Sequence, residues 1–322
     1  MKSIKKILKF LVIINFLLVG CVLVKLPTVQ PLAEKVIGGE GRGKILIIDI
    51  SGLIKSRKRL KIIGTEKSPV ITARIKEELE LASKDKDIKA VILRINSPGG
   101  SVTPCDIINH EIKAFKKDKK IPVVAHFMDT AASGAYYIAS ASDAIVAQPT
   151  TVTGSIGVVA YNINASGLMG KIGLENRTIK SGPKKDMASP LREMTAEEEK
   201  ILQSVIDELY GRFLDAIVEG RKAFKERKDL RGIADGRVYT APQALKLNLI
   251  DSIGYIDDSI ALAKKLAHIE KARIVTYARP DSYKNNIYSR AGALPTEVNL
   301  INIDAVGLAG TPGVQFMYLW MP

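Results

Sequence analysis

The chain has 322 residues, 46% of them apolar, enough for a substantial core in one large domain or two modest ones. Its formal net charge of +14, from 48 basic against 34 acidic residues, suits a negatively charged partner. No helix-turn-helix, zinc finger or aromatic RNA platform accompanies that charge, so a membrane surface is expected and nucleic acid is not. Two cysteines and three scattered histidines (His110, His126, His268) exclude a disulfide framework and a Cys/His metal centre, and no metal or cofactor is expected.

At the N-terminus Lys2, Lys5, Lys6 and Lys9 precede an apolar run from Phe10 to Val24. Ile7 to Leu26 supplies about the ~20 residues of a spanning helix, and the basic start places its N-terminus in the cytoplasm. The expectation is a single-pass anchor in the cell membrane with the rest of the chain extracytoplasmic. A cleaved signal peptide lacks a small-x-small site here. Leu18-Val-Gly-Cys21 has the form of a lipobox, with lipid on Cys21, but the apolar run continues past it and favours an uncleaved anchor.

Pro- and Gly-containing residues 28–43 read as a linker, which ends an anchor segment of residues 1–43. Residues 44–278 read as the folded domain. Lys44–Ile50 is a short apolar strand, and Lys55–Lys61 a basic loop. Ile71–Ser83 has helical spacing, Ala90–Ile95 is a strand, and Asp106–Lys117 a helix with Pro104 at its start. Val123–Phe127 and Ala144–Ala147 are strands flanking a short helix from Ser133 to Ala141. Thr195-Ala-Glu-Glu198 is a capping box opening a helix to about Gly220. That helix carries an apolar stripe (Ile201, Leu202, Val205, Ile206, Leu209, Phe213, Leu214, Ile217) suited to a core or a subunit interface. Helices at 242–247 and 257–266 and a strand at 272–276 follow. Residues 279–322 read as an irregular tail. Alternating strands and helices indicate an α/β layered fold with a mostly parallel sheet.

Four segments carry chemistry. Thr130-Ala-Ala-Ser133-Gly-Ala sets a serine among residues too small to shield it, at a helix start. Ser181-Gly-Pro-Lys-Lys185-Asp186 offers an amine in a turn. Thr153-Gly-Ser155-Ile-Gly157 holds a second hydroxyl, and Asn96-Ser-Pro-Gly99-Gly100 directly follows a strand. A serine attacks only when a base takes its proton, and lysine serves as that base only when neutral. Asp186 must therefore face away from Lys185, because a carboxylate there would hold the ammonium charged. Ser155 suits the group that orients the amine. Gly100 N–H, with Gly99 next, suits the donor to a tetrahedral oxyanion. Singly, each has an ordinary explanation: a helix cap, a turn serine, a solvated lysine, a conformational glycine pair. Together they can assemble a Ser-Lys hydrolase.

These segments resemble the bacterial signal peptide peptidase A family of membrane-bound serine peptidases, related in fold to the ClpP and crotonase group. Asn96–Gly100 is similar to the family's oxyanion loop, Ala131–Ala139 to its nucleophile segment, Thr151–Val158 to the stretch whose serine assists the base, and Ile179–Asp186 to the base segment. Gly236–Thr240 and Ala244–Asp251 are similar to later motifs. The resemblance implies Ser133 as nucleophile, Lys185 rather than Lys184 as general base, and hydrolysis of remnant signal peptides after their release from secreted precursors. It further implies a ring-like homo-oligomer, an octamer, in which Ser133 and Lys185 come from neighbouring copies. Apolar substrates suggest a groove preferring small or aliphatic side chains. Ala135, where the family often has glycine, and Cys105, near a helix start, depart from its pattern. A crotonase-like acyl-coenzyme A enzyme and a non-catalytic membrane scaffold are the alternatives from other classes.

Overall fold

Strands that are apolar on both faces organise the chain, and a computed structural model describes how residues 31–55, 70–279 and 316–320 arrange around them. The expected anchor, Cys21 and the loop beyond Lys55 lie outside the described residues. In chain order the strands are β1 (Ala33–Gly39), β2 (Lys44–Ser51), β3 (Ile88–Ser97), β4 (Gly99–Ser101), β5 (Val123–Ala132), β6 (Ala144–Ala147), β7 (Val152–Gly154), β8 (Val159–Ala160), β9 (Val238–Thr240), β10 (Ser252–Ile253), β11 (Arg273–Ala278) and β12 (Phe316–Leu319). The helices are α1 (Ile71–Lys84), α2 (Val102–Lys119), α3 (Gly134–Ala139), α4 (Ser166–Lys171), α5 (Ala196–Gly220), α6 (Ala241–Lys246) and α7 (Ile256–Leu266).

The main sheet runs β1-β11-β2-β3-β5-β6-β10, with β7 joined to β5 and β9 to β7. Only the β1–β11 and β7–β9 pairs are antiparallel; the rest are parallel. Along β2, Leu46, Ile48 and Ile50 face the core that includes α1, α2, α3 and α5. Ile45 and Ile47 face a second core with Ile256, Ile260 and Ala263 of α7. Burial on both faces is why β2 and β3 read as continuous apolar runs rather than alternating ones. The fold is the expected α/β architecture.

Two segments differ from expectation. Residues 33–39, read as linker, form edge strand β1 along β11. The tail, read as irregular, contributes β12, which lies between β4 and β8 as the central strand of a small antiparallel sheet. Among the described residues no helix is long and apolar enough to cross a membrane.

Candidate active site

Ser133 sits where β5 turns sharply into α3. Its φ of 53° and ψ of −117° lie outside the regions a side-chain-bearing residue ordinarily occupies, a strain of about 1–3 kcal/mol that the surroundings must sustain. The backbone is held from both sides: Ser133 N–H donates to Gly154 O (2.7 Å), and Tyr137 N–H donates to Ser133 O (2.9 Å). Ser133 is 1% exposed, and its buried Oγ has no hydrogen-bond partner. A buried hydroxyl normally finds one, and this one is not spent on capping the helix either.

Ser155 stands next to it by strand pairing. The end of β5, Thr130–Ala132, pairs in parallel with Val152–Gly154 of β7, and Thr153 Oγ1 donates to Ala131 O (2.6 Å). Ser133 and Ser155 are therefore the residues immediately beyond two paired strand ends. Ser155 also has positive φ, 50°, and its N–H donates to Arg237 O (2.7 Å). The Gly236–Thr240 motif thus buttresses Ser155 through β9, which pairs with β7.

The two glycines have different tasks. Gly99 N–H donates to Ser97 Oγ (3.1 Å), which itself donates to Gly52 O (2.6 Å); this amide closes the loop. Gly100 N–H faces the sheet edge that β12 joins, with Tyr318 opposite Gly100. Trp320 N–H donates to Pro98 O (2.9 Å). Alternation along an antiparallel ladder then makes Gly100 and Tyr318 a hydrogen-bonded pair too, so Gly100 N–H donates to the Tyr318 carbonyl. Gly99 has a φ of 100°, and a Cβ there would lie 2.1 Å from Tyr318 O and 2.7 Å from Gly134 N. The first amide of α3 therefore adjoins the same carbonyl. The sequence reading put Gly99 second among the donors and overlooked Gly134; its position directly after the serine, at a helix start, was the available signal.

Lys185 is exposed, in a turn where its N–H donates to Gly182 O (3.1 Å), whereas Ser133 is buried and unpartnered. Within one chain the Ser133 hydroxyl has no hydrogen bond to the Lys185 amine. Asp186 does face away from Lys185: its carboxylate takes hydrogen bonds from Arg192 (2.7 and 3.0 Å) and Lys180 (2.7 Å). These partners, Arg192 foremost, hold the Asp186 carboxyl well below the usual range. Arg192 also grips Glu198 (2.6 and 2.9 Å), whose carboxylate completes the capping box with Thr195 at the start of α5. The lysine segment is thus tied to α5 by Arg192, a residue the sequence reading did not single out. Around it Ile163, Leu168, Ile172 and Ile179 are exposed, Ile179 fully.

The two departures from the family pattern are accommodated. Ala135 is fully buried. Cys105 is buried and unpaired, and burial pushes its thiol up, away from the reactive thiolate. His126 is a core residue: its Nδ1 lies 2.8 Å from Ser259 Oγ. Burial, then the Arg94 charge, lowers its pKa to about 4. Among the described residues no cluster of His, Cys, Asp or Glu could hold a metal.

A serine at a strained strand-to-helix turn, beside amides at the edge of a mostly parallel α/β sheet, defines a serine peptidase of the ClpP-like kind, and the Clp protease family model matches residues 43–153. The model for peptidase family S49 matches residues 115–270. The Enterococcus faecium protein carrying the signal peptide peptidase SppA name is 35% identical over 239 residues, 74% of this chain and 68% of that protein. A Synechocystis protein designated protease slr0021 is 37% identical over 72% of this chain and 78% of its own length. The chloroplastic serine protease SPPA of Arabidopsis thaliana is 34% identical over 79% of this chain and 37% of that protein. The chain belongs to peptidase family S49, the signal peptide peptidase A family, and is a serine endopeptidase. Neither the acyl-coenzyme A enzyme nor the scaffold is favoured by these matches.

Proposed function

We propose that this peptidase hydrolyses signal peptides left after their release from secreted precursors, with Ser133 as nucleophile and Lys185 of a neighbouring copy as general base. The observation that carries the reading is the buried, unpartnered Ser133 hydroxyl at a strained turn. A substrate would enter as an extended strand between β4 and β8, the place β12 takes here. Its carbonyl would accept from Gly100 N–H, with Gly134 N–H adjoining. Neutral Lys185 Nζ takes the Ser133 proton as Oγ attacks the carbonyl carbon, and the oxyanion is stabilised by the backbone amides. The ammonium then protonates the leaving amine, and the peptide bond breaks. Lys185 next deprotonates a water that hydrolyses the acyl-enzyme and restores Ser133. Ser155 orients the amine.

The exposed apolar residues around Lys185, and the half-covered Leu202, Val205 and Ile206 on α5, support a homo-oligomeric ring in which that arm covers a neighbour's Ser133. Such cover would take the amine out of water, which disfavours a charged group. The lysine-rich start and apolar run of residues 2–24 support a single-pass anchor with the catalytic domain extracytoplasmic. The test is a fluorophosphonate probe on the assembled protein, read by intact mass. One adduct on Ser133, absent in Lys185→Ala, supports the dyad; labelling that survives Lys185→Ala removes the lysine from the mechanism.

A further inference from the structure

The groove beside Gly100 ends in a built side pocket, and its occupant here is a tyrosine. Tyr318 is fully buried. Its ring stacks on Tyr137 (centroids 5.1 Å apart, planes 27° apart) and tilts against Phe213 (4.7 Å, 51°). Tyr137 and Phe213 also meet edge to face at 5.2 Å, so the two rings are adjoining walls of a corner slot that one further ring fills. At its far end the Tyr318 hydroxyl donates to Leu209 O (2.8 Å), a carbonyl of α5 outside the sheet. The Tyr137 wall is fixed from behind, where its hydroxyl donates to Asp106 Oδ1 (2.6 Å) and Arg212 holds the same carboxylate (2.7 Å).

We propose that this slot makes the enzyme select tyrosine at the substrate residue whose carbonyl rests on Gly100, with Tyr137 and Phe213 as the specificity walls and the Leu209 carbonyl reading the hydroxyl. The inference deepens the proposed peptidase function and rests on its placement of the scissile carbonyl. It replaces the expected preference for small or aliphatic side chains at this residue. An alanine or leucine leaves the walls poorly filled. Phenylalanine fills them but forgoes the hydrogen bond to Leu209 O, a loss that typically weakens recognition by up to about tenfold.

The experiment uses the full-length protein in detergent and internally quenched peptides that differ only in bearing Tyr, Phe, Leu or Ala at one position, with products identified by mass. The chain's own Phe316–Trp320 competes equally with each peptide, so the ratios of kcat/KM are unaffected. Cleavage after tyrosine should exceed that after phenylalanine by up to about tenfold, with leucine and alanine lower still. Phe213→Leu should reduce the preference for aromatic over leucine. Ser133-dependent cleavage that treats Tyr and Phe alike, or favours Leu or Ala, overturns the slot. Cleavage of no peptide, or cleavage that survives Ser133→Ala, defeats the reading of the site itself and the slot with it. Should Phe213→Leu fail to fold, the Tyr/Phe ratio of the unmodified enzyme still decides.

Discussion

The serine side and the lysine side of this enzyme are built by different physics. Ser133, Ser155 and Gly100 stand at the ends or edges of paired strands, and strand pairing fixes their backbones against one another. Lys185 stands in an arm of turns, fixed to α5 through the Asp186–Arg192–Glu198 and Lys184–Glu197 ion pairs and presenting apolar side chains to solvent. A site half of which is rigid and half of which is uncovered fits the proposed assembly from two copies. The lesson is that the completeness of a catalytic group must be judged at the level at which its least supported member becomes buried.

The strongest attempt to break this contrast removes one member from each side. Ser133→Ala and Lys185→Ala should each lower kcat/KM by about 10⁴-fold or more. If the two sides belong to different copies, equal mixtures of the variants reassembled together should regain about a quarter of the sites, because a wild-type serine then meets a wild-type lysine by chance. Mixtures as inactive as the parents place both residues in one chain.

Within the rigid half, Gly99→Ala puts a methyl where the Tyr318 carbonyl lies and forces a side chain into positive φ. Turnover should fall by about 10²-fold or more while the protein still assembles, as sizing chromatography would show. A near-normal rate would move the oxyanion site away from this loop.

Within the arm, Arg192→Ala frees the Asp186 carboxylate to approach Lys185 and hold it charged. The rate should drop by roughly tenfold, with its pH optimum moved upward. Arg192→Lys should restore part of both. An unchanged pH profile would mean that the clamp only supports α5.

The smallest effect on the reaction, none, is expected from His126, which instead sets acid stability. Its pKa is lowered to about 4 in the fold, against about 6.5 unfolded. Stability from this group is therefore full above about pH 6.5 and is lost as pH falls toward 4, by an amount on the order of 3 kcal/mol. Thermal melts across pH 4–7 should show that loss, and His126→Asn, which cannot titrate, should flatten it.

The central sheet was legible because β2, β3, β5 and β6 are apolar on both faces, a pattern few loops imitate. Helix α5 was legible from its capping box, which the structure retains. Strands β4, β7, β8, β9 and β10 were not. Each has two or three residues, and their pairing is decided by neighbours distant in sequence. Strand β1 escaped notice because it is an edge strand bounded by glycines, and β12 because its apolar run follows a long irregular stretch. The nucleophile segment and glycine pair showed themselves through small residues in unusual density. The direction of each glycine amide was invisible, since it depends on which carbonyl crosses the loop. Lys185 was legible as a residue, but that it is exposed while the Ser133 hydroxyl is buried without a partner was visible only in three dimensions.

An unpartnered serine and an exposed lysine in one chain bear on how such an enzyme is kept harmless. In the proposed two-copy site, a newly made chain carries an attacking group with no means of activation, and an activating group with nothing to act on. On that proposal latency is the default state of the single polypeptide. Proteolytic power would rise steeply with local abundance, since each working centre is the product of an encounter.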